Sequence, residues 1–322
     1  MIRPMAAEQV ELRNIARKLL ESGRVEVVIG YAAGEQALTA VPIFVRAPEE
    51  AERLIFDHTC EQNLSNYLNR FKDRKVALVV KGCDERSVVG LIQEKQVRRE
   101  NLVLIGAPCA GTIDRRLVTR TLGTESLESA GIDGEDLTVQ GTGQTEQTLA
   151  VKDVLHRMCR ACPAHNPRFA DYLIGEEVAL PDQPGIDPEV ERVAALDSEE
   201  RWSVFDKEMD KCILCFACRS VCPACYCTAC FTESSQPKWM SKSADDSDVI
   251  FYHLSRLLHL TGRCTGCGAC MRACPTDVNL RLYYDKLRQD VKDVFDHEAG
   301  VDPADEPPLT CFRNEDQNDF IM

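Results

Sequence analysis

The sequence of 322 residues has no apolar run approaching the roughly 20 residues that a membrane-spanning helix needs. Its longest apolar stretches, Val76 to Val80 and Asn101 to Ala107, are strand-sized. No segment has the order of charged, apolar and small residues that marks a secretory signal. A soluble, cytoplasmic protein with no direct membrane insertion is therefore the expectation. An excess of positive charge is also missing: 38 Lys and Arg stand against 52 Asp and Glu, a formal net charge of −14. Phosphate backbones would repel such a surface, which argues against nucleic acid as a partner. The chain further lacks a Ser/His/Asp set, a P-loop and a complete G-x-G-x-x-G segment. No catalytic residues are assigned.

What the chain has in excess is cysteine, 17 in all. Bunched at short spacings in a chain without a secretory signal, they point to metal binding before a disulfide framework. Length gives a soft expectation of two domains. Residues 1–175 read as α/β. An amphipathic helix with Leu12, Ile15, Leu19 and Leu20 on one face precedes the strand "VEVVIGY". "VPIFV" is a second candidate strand, and a helix is expected over Asn63 to Arg70. "KVALVV", "DERSVVGLIQEKQV" and "NLVLIGAPC" then form a strand, a helix and a strand, the signature of a parallel βαβ crossover. Residues 121–150, rich in Gly, Thr and Glu, read as peripheral, and 176–199 as an acidic, Pro-punctuated linker. An α-helical, Cys-rich domain is expected over 200–290, followed by an acidic tail over 291–322, either a docking arm or disordered.

Two segments of the helical part follow C-x2-C-x2-C-x3-C-P. One is Cys212, Cys215, Cys218 and Cys222 with Pro223, the other Cys264, Cys267, Cys270 and Cys274 with Pro275. Three thiolates on one tight turn reach three irons of a 4Fe–4S cubane, and the fourth, displaced by the Pro, reaches the neighbouring cluster. The pattern assigns Cys212, Cys215, Cys218 and Cys274 to a first cluster, and Cys264, Cys267, Cys270 and Cys222 to a second. Structural zinc uses paired C-x2-C turns without a third cysteine and a closing Pro. A radical-SAM set at Cys218, Cys222 and Cys225 overlaps the better-explained motif. Between the motifs, "DVIFYHLSRLLHLTGRC" reads as a helix capped by Asp248 and ended by Gly262, with Ile250, Leu254, Leu257, Leu258 and Thr261 on one face. His253 and His259 on it read as packing or surface residues. The whole module resembles the helical dicluster ferredoxin of heterodisulfide reductase and succinate dehydrogenase subunits.

A third constellation lies in the α/β part. Cys83 and Cys109 each follow a strand, and parallel strands end at the same edge, where open α/β sheets bind ligands. Cys159 and Cys162 in "CRACPAHNP" add a C-x2-C turn. By spacing alone these four thiols fit a cluster, a redox-active pair, zinc, or cysteines of the core. "KGCDERSVVGLIQEKQVRRENLVLIGAPCAGTID" with "CRACPAHNPRFADYLIG" resembles the beta-subunit family of deazaflavin-reducing hydrogenases and formate dehydrogenases, over roughly residues 15–175. The resemblance matches Cys83, Cys109, Cys159, Cys162, Asp171 and Gly175. It implies a third 4Fe–4S cluster on the four cysteines, beside FAD. The paired Gly that accompanies flavin binding is absent, since no Gly precedes Gly23, and this argues against FAD; "GYAAGEQ", with Gly30 and Gly34, is the only substitute. Cys225, Cys227 and Cys230 need one more thiol to make a fourth set. Cys60 is the favoured partner and Cys311 the other, against the reading that all are small apolar residues near the clusters.

The function expected is that of an iron–sulfur electron-transfer subunit in an anaerobic, multi-subunit oxidoreductase. It would relay single electrons between a flavoprotein of the heterodisulfide-reductase or electron-bifurcating kind and a catalytic subunit such as a formate dehydrogenase or hydrogenase. The alternative is an FAD-containing subunit that itself oxidises or reduces a deazaflavin coenzyme or nicotinamide.

Overall fold

The computed structural model describes residues 7–180, 185, 187–241 and 245–311. The chain divides into two compact units, residues 1–85 with 98–185, and residues 86–97 with everything from 186 onward.

The first unit opens with α1 (Ala7–Glu21), which buries Leu12, Ala16 and Leu19 and leaves Ile15 and Leu20 half-buried. β1 (Val27–Ala33) turns through a tight hairpin, Gly34 N–H donating to Thr39 O at 2.8 Å, into antiparallel β2 (Ala40–Val45). β2 is an edge strand, which is where Pro42, with no N–H to give, is tolerated. Over 63–71 the expected helix is a 3-10 turn (Leu64–Phe71), with Asn63 accepting from Ser65 N–H. β3 (Val76–Val80) and β4 (Leu102–Gly106) are buried at every position, as unbroken apolar runs in a parallel sheet are. α2 (Gly82–Gln93) follows β3, and β8 (Tyr172–Leu173) completes the order β2-β1-β3-β4-β8. β3 and β4 pair from Val76 opposite Leu102 to Val80 opposite Gly106, so they end level. Cys83 and Cys109 each lie three residues beyond those ends.

Residues 121–150, expected to be peripheral, contain a second sheet. α3 (Arg115–Leu122) is capped by Asp114, which accepts from Leu117 N–H at 3.1 Å. β5 (Leu127–Asp133), β6 (Asp136–Gly141) and β7 (Gln147–Ala150) then form an antiparallel meander. Leu137 and Val139, alternating with polar neighbours along β6, pack with Leu127, Val118, Val154 and Leu155 into a separate core. The turn glycines Gly134 and Gly143 have positive φ. α4 (Arg157–Arg160) follows.

In the second unit, the later part of the region expected as a linker contains one helix and the start of another, while residues 181–184 and 186 lie outside the described part. α5 (Pro188–Ala194) starts with Asp187 as cap and Pro at its first position; α6 (Ser198–Met209) starts with an Asp197/Glu200 capping box. α8 (Asp246–His259) and α10 (Arg281–Phe295) pack with them, and the single turns α7 (Ala217–Ser220) and α9 (Ala269–Arg272) carry cysteines. The cap of α8 is Asp245, while Asp248 is buried in its first turn and accepts from Ser241 N–H. The buried face of α8 is Val249, Tyr252, His253 and Arg256. Leu254 and Leu258, expected inside, are 44% and 68% exposed, and Ile250 and Leu257 are half-buried. Aliphatic spacing selected the wrong face because this core contains thiols, which polar donors satisfy.

The expected tail is also structured. Residues 291–295 are the last turn of α10, and 296–311 fold onto residues 86–97 of the same unit. His297 is buried, bonded to Asp305 at 2.6 Å and Gly262 O at 2.8 Å. Arg86 pairs with Glu298 at 2.9 Å, and Gln93 donates to the carbonyls of Asp302 and Asp305. A Cβ on Gly300 would collide with Arg86 O. Residues 312–322 lie outside the described part.

Candidate metal centres

The two motifs fold into matching turns. In "CILCFAC", Leu214 and Phe216 are left-handed, with φ of 49° and 58°; in "CTGCGAC", Gly266 and Gly268 occupy the same places with φ of 71°. This backbone points N–H groups inward: Leu214 N–H donates to Cys212 Sγ at 3.4 Å, and Gly266 N–H donates to Cys264. A non-glycine residue in this conformation costs about 1–2 kcal/mol. Strain of that kind persists where surrounding structure fixes it, characteristically at functional sites.

Around the first turn, burial raises the Cys212 thiol against the Leu214 hydrogen bond, and the thiols of Cys218, Cys274 and Cys215 raise it further. Cys218, Cys274 and Cys215 thus all lie near Cys212, and Val278 N–H donates to Cys274 Sγ at 3.3 Å. Around the second turn, burial pushes Cys264 up to about 11, with Arg288 opposing and Cys267 and Cys222 adding. Cys270 is raised in the same way, with Arg256 opposing and Cys222, Cys264 and Cys267 adding. Cys222, Cys264, Cys267 and Cys270 line one cavity. Cys274 of the second motif thus lies beside the first set, and Cys222 of the first motif beside the second.

Thiols crowded together and partly buried resist ionisation unless a cation neutralises them, and iron takes them as thiolates. A buried nitrogen beside these sets, Arg256 Nε, lacks a hydrogen-bond partner within the protein. The donor set and this orphaned N–H fit a sulfide-bearing group. Among the described residues, no three His, Cys, Asp or Glu side chains converge as a single metal ion would require.

The third constellation forms at the sheet edge. Burial pushes Cys109 up to about 12, Cys159 and Cys162 adding and Lys81 opposing; Lys81 in turn senses Cys83 and Cys109. Gly111 N–H donates to Cys109 Sγ and Ala164 N–H to Cys162 Sγ, both at 3.4 Å. Cys109 N–H donates to His165 O at 2.9 Å, tying the strand end to the C-x2-C turn. A Cβ on Gly82 would overlap Ala164 O, so the close approach of that turn to the start of α2 requires glycine. Asp171 braces the sheet, accepting from Leu104 N–H and pairing with Arg99, each at 2.7 Å.

Cys60 belongs to the first unit and Cys225, Cys227 and Cys230 to the second. Cys60 is fully buried near Cys109, its thiol raised by burial. Cys225 lies beside Cys222, whose thiol is lowered by the hydrogen bond between them. Cys227 is exposed; Cys230 is held low, against burial, by Thr232 and Arg219. Cys311 lies against Pro307 O at 3.6 Å. "GYAAGEQ" is the β1–β2 hairpin, where Gly30 packs against Leu54 and Gly34 closes the turn, and α1 contains no glycine.

Sequence reasoning missed the side chains that touch the sulfurs. Tyr252 OH and Cys218 Sγ are 3.2 Å apart, as are His253 Nε2 and Cys212 Sγ. Arg256 donates to Cys218 O at 3.0 Å and Tyr284 OH at 2.5 Å. Lys81 is buried in an ion pair with Asp84 at 2.7 Å. The available signal was the 252, 253, 256 spacing of one helix face.

Residues 73–205 match the family model for the C terminus of the coenzyme F420 hydrogenase/dehydrogenase beta subunit, and residues 208–278 that for a 4Fe–4S dicluster domain. The chain is thus similar to a beta-subunit domain over its middle part and to a 4Fe–4S dicluster domain after it. The beta-subunit match extends beyond the expected residue 175, across α5 and into α6. The dicluster match includes both C-x2-C-x2-C-x3-C-P motifs and makes this an iron–sulfur protein. The chain is 22% identical to the F420-dependent formate dehydrogenase subunit beta of Methanocaldococcus jannaschii, over 90% of this chain and 91% of that one. It is 21% identical to F420-dependent formate dehydrogenase 1 subunit beta of Methanococcus maripaludis, over 90% of each. Among solved structures, an F420-reducing NiFe hydrogenase complex from Methanosarcina barkeri aligns with 48% of this chain and 58% of its own, at 15% identity and a TM-score of 0.35. No helix among the described residues is long and apolar enough to cross a membrane.

Proposed function

We propose that this chain is the iron–sulfur electron-transfer subunit of a multi-subunit oxidoreductase, with three 4Fe–4S clusters. Cys212, Cys215, Cys218 and Cys274 would hold one, Cys264, Cys267, Cys270 and Cys222 the second, and Cys83, Cys109, Cys159 and Cys162 the third. The observation that carries the reading is that Cys274 lies beside Cys212 and Cys222 beside Cys270, an exchange of fourth thiols that would keep two redox centres adjacent in one core. Such clusters, when bound, accept and release single electrons.

The chain's own residues supply the environment. Backbone N–H groups two residues after Cys109, Cys162 and Cys212 point at their sulfurs. Arg256, Arg288 and Lys81 offset negative charge there. The two formate dehydrogenase relatives support other subunits of such a dehydrogenase as partners, with coenzyme F420 as the associated carrier; a flavoprotein is a further partner expected from the sequence.

Cys159→Ser tests the third set. Iron and sulfide analysis should show the loss of about one cluster, with the spectrum of the other two intact. Loss of all iron, or of none, would refute the assignment.

A further inference from the structure

α8 meets the first thiol set with two consecutive side chains. Tyr252 OH lies 3.2 Å from Cys218 Sγ and His253 Nε2 lies 3.2 Å from Cys212 Sγ. Both side chains are buried, 1% and 3% exposed. The Tyr252 ring is fixed from several sides, edge-on to Phe216 with centroids 5.1 Å apart and to His253 at 4.9 Å, with Phe231 at 6.3 Å. A metal-bound thiolate has no proton to give, so Tyr252 O–H and His253 Nε2–H are the donors in these contacts. The second set is served differently, by the guanidinium groups of Arg256 and Arg288.

A hydrogen bond to a cysteinyl sulfur withdraws electron density from it. It therefore favours the reduced, more negative form of a cluster and raises its potential. We propose that Tyr252 and His253 are positioning residues that set the reduction potential of the first cluster, separately from the second, through their hydrogen bonds to Cys218 and Cys212. This rests on the cluster assignment given under the proposed function.

The test is an EPR-monitored redox titration of the full chain purified anaerobically, with iron and sulfide analysis, on the unaltered protein and on Tyr252→Phe, His253→Leu and His253→Gln. Tyr252→Phe removes one hydroxyl and keeps the ring. His253→Gln retains an N–H donor that His253→Leu deletes. The expected result is unchanged iron in all variants and a shift of one cluster signal to more negative potential. The same signal should move in Tyr252→Phe and His253→Leu, and His253→Gln should recover much of the second shift. Full iron content with no signal moved, or different signals moved by the two variants, overturns the inference. So does loss of iron from both Tyr252→Phe and His253→Leu, which would make these side chains structural. If the unaltered chain itself contains no such clusters, the cluster assignment has failed, a result distinct from an unmoved potential.

Discussion

Lys81 and Asp84 show how much the third constellation depends on single charges. Lys81 is 3% exposed and Asp84 is wholly buried, 2.7 Å apart. Burial opposes the charge on Lys81, and Asp84 and Tyr31 more than offset it, keeping the ammonium beside Cys83 and Cys109. Removing one partner of a buried pair leaves the other uncompensated, at a cost of about 3–5 kcal/mol. Asp84→Asn should therefore lower the urea-unfolding free energy of the first unit by about that amount; a change below about 1 kcal/mol would show the pair to be dispensable. Leu214 and Phe216 pose the opposite case. They hold left-handed backbone where the second turn has glycines, so Leu214→Gly should leave iron content unchanged and cost little stability. Iron loss in that variant would mean that the Leu214 side chain, half-buried against the core, matters more than its backbone.

At the scale of elements, α8 is the most informative. Its buried face is Val249, Tyr252, His253 and Arg256, and its aliphatic residues Leu254 and Leu258 face outward. Leu258→Lys should change thermal stability by no more than about 0.5 kcal/mol, as exposed substitutions do. A loss of several kcal/mol would restore the aliphatic face as the buried one. The sequence led to the other choice because period 3.6 identifies faces by hydrophobicity, and here the neighbours of the buried face are sulfurs. The β5–β7 meander was hidden for a related reason. Its own strands contribute only Leu127, Leu137 and Val139 to the buried core, and the Gly, Thr and Glu around them read as loop. The C-x2-C-x2-C-x3-C-P turns were legible because their spacing follows directly from the geometry of ligation. Likewise Cys83 and Cys109 could be paired from sequence because level parallel strands leave little freedom at their ends. Lys81, Tyr252 and Arg256 were not legible, since nothing local distinguishes a charged or aromatic residue that turns toward a thiol.

For the whole molecule, the two units rest on different kinds of core. The first is packed from aliphatic strands and α1, while the second includes Cys218 and Cys274 among its buried residues, with Phe205, Met209 and Tyr284 around them. Folding of such a core is coupled to what its thiols bind. Stripping iron with a chelator under reducing conditions should therefore lower the helical CD signal and its melting temperature more than it disturbs the sheet of the first unit. Identical melts with and without iron would show that the thiols are not organising groups. The central claim is that this chain carries three clusters and relays electrons. Its most direct test is the native mass spectrum of the anaerobically purified protein. The account predicts the mass of the 322-residue chain plus three 4Fe–4S units. A bare chain, or one carrying only zinc, would contradict it.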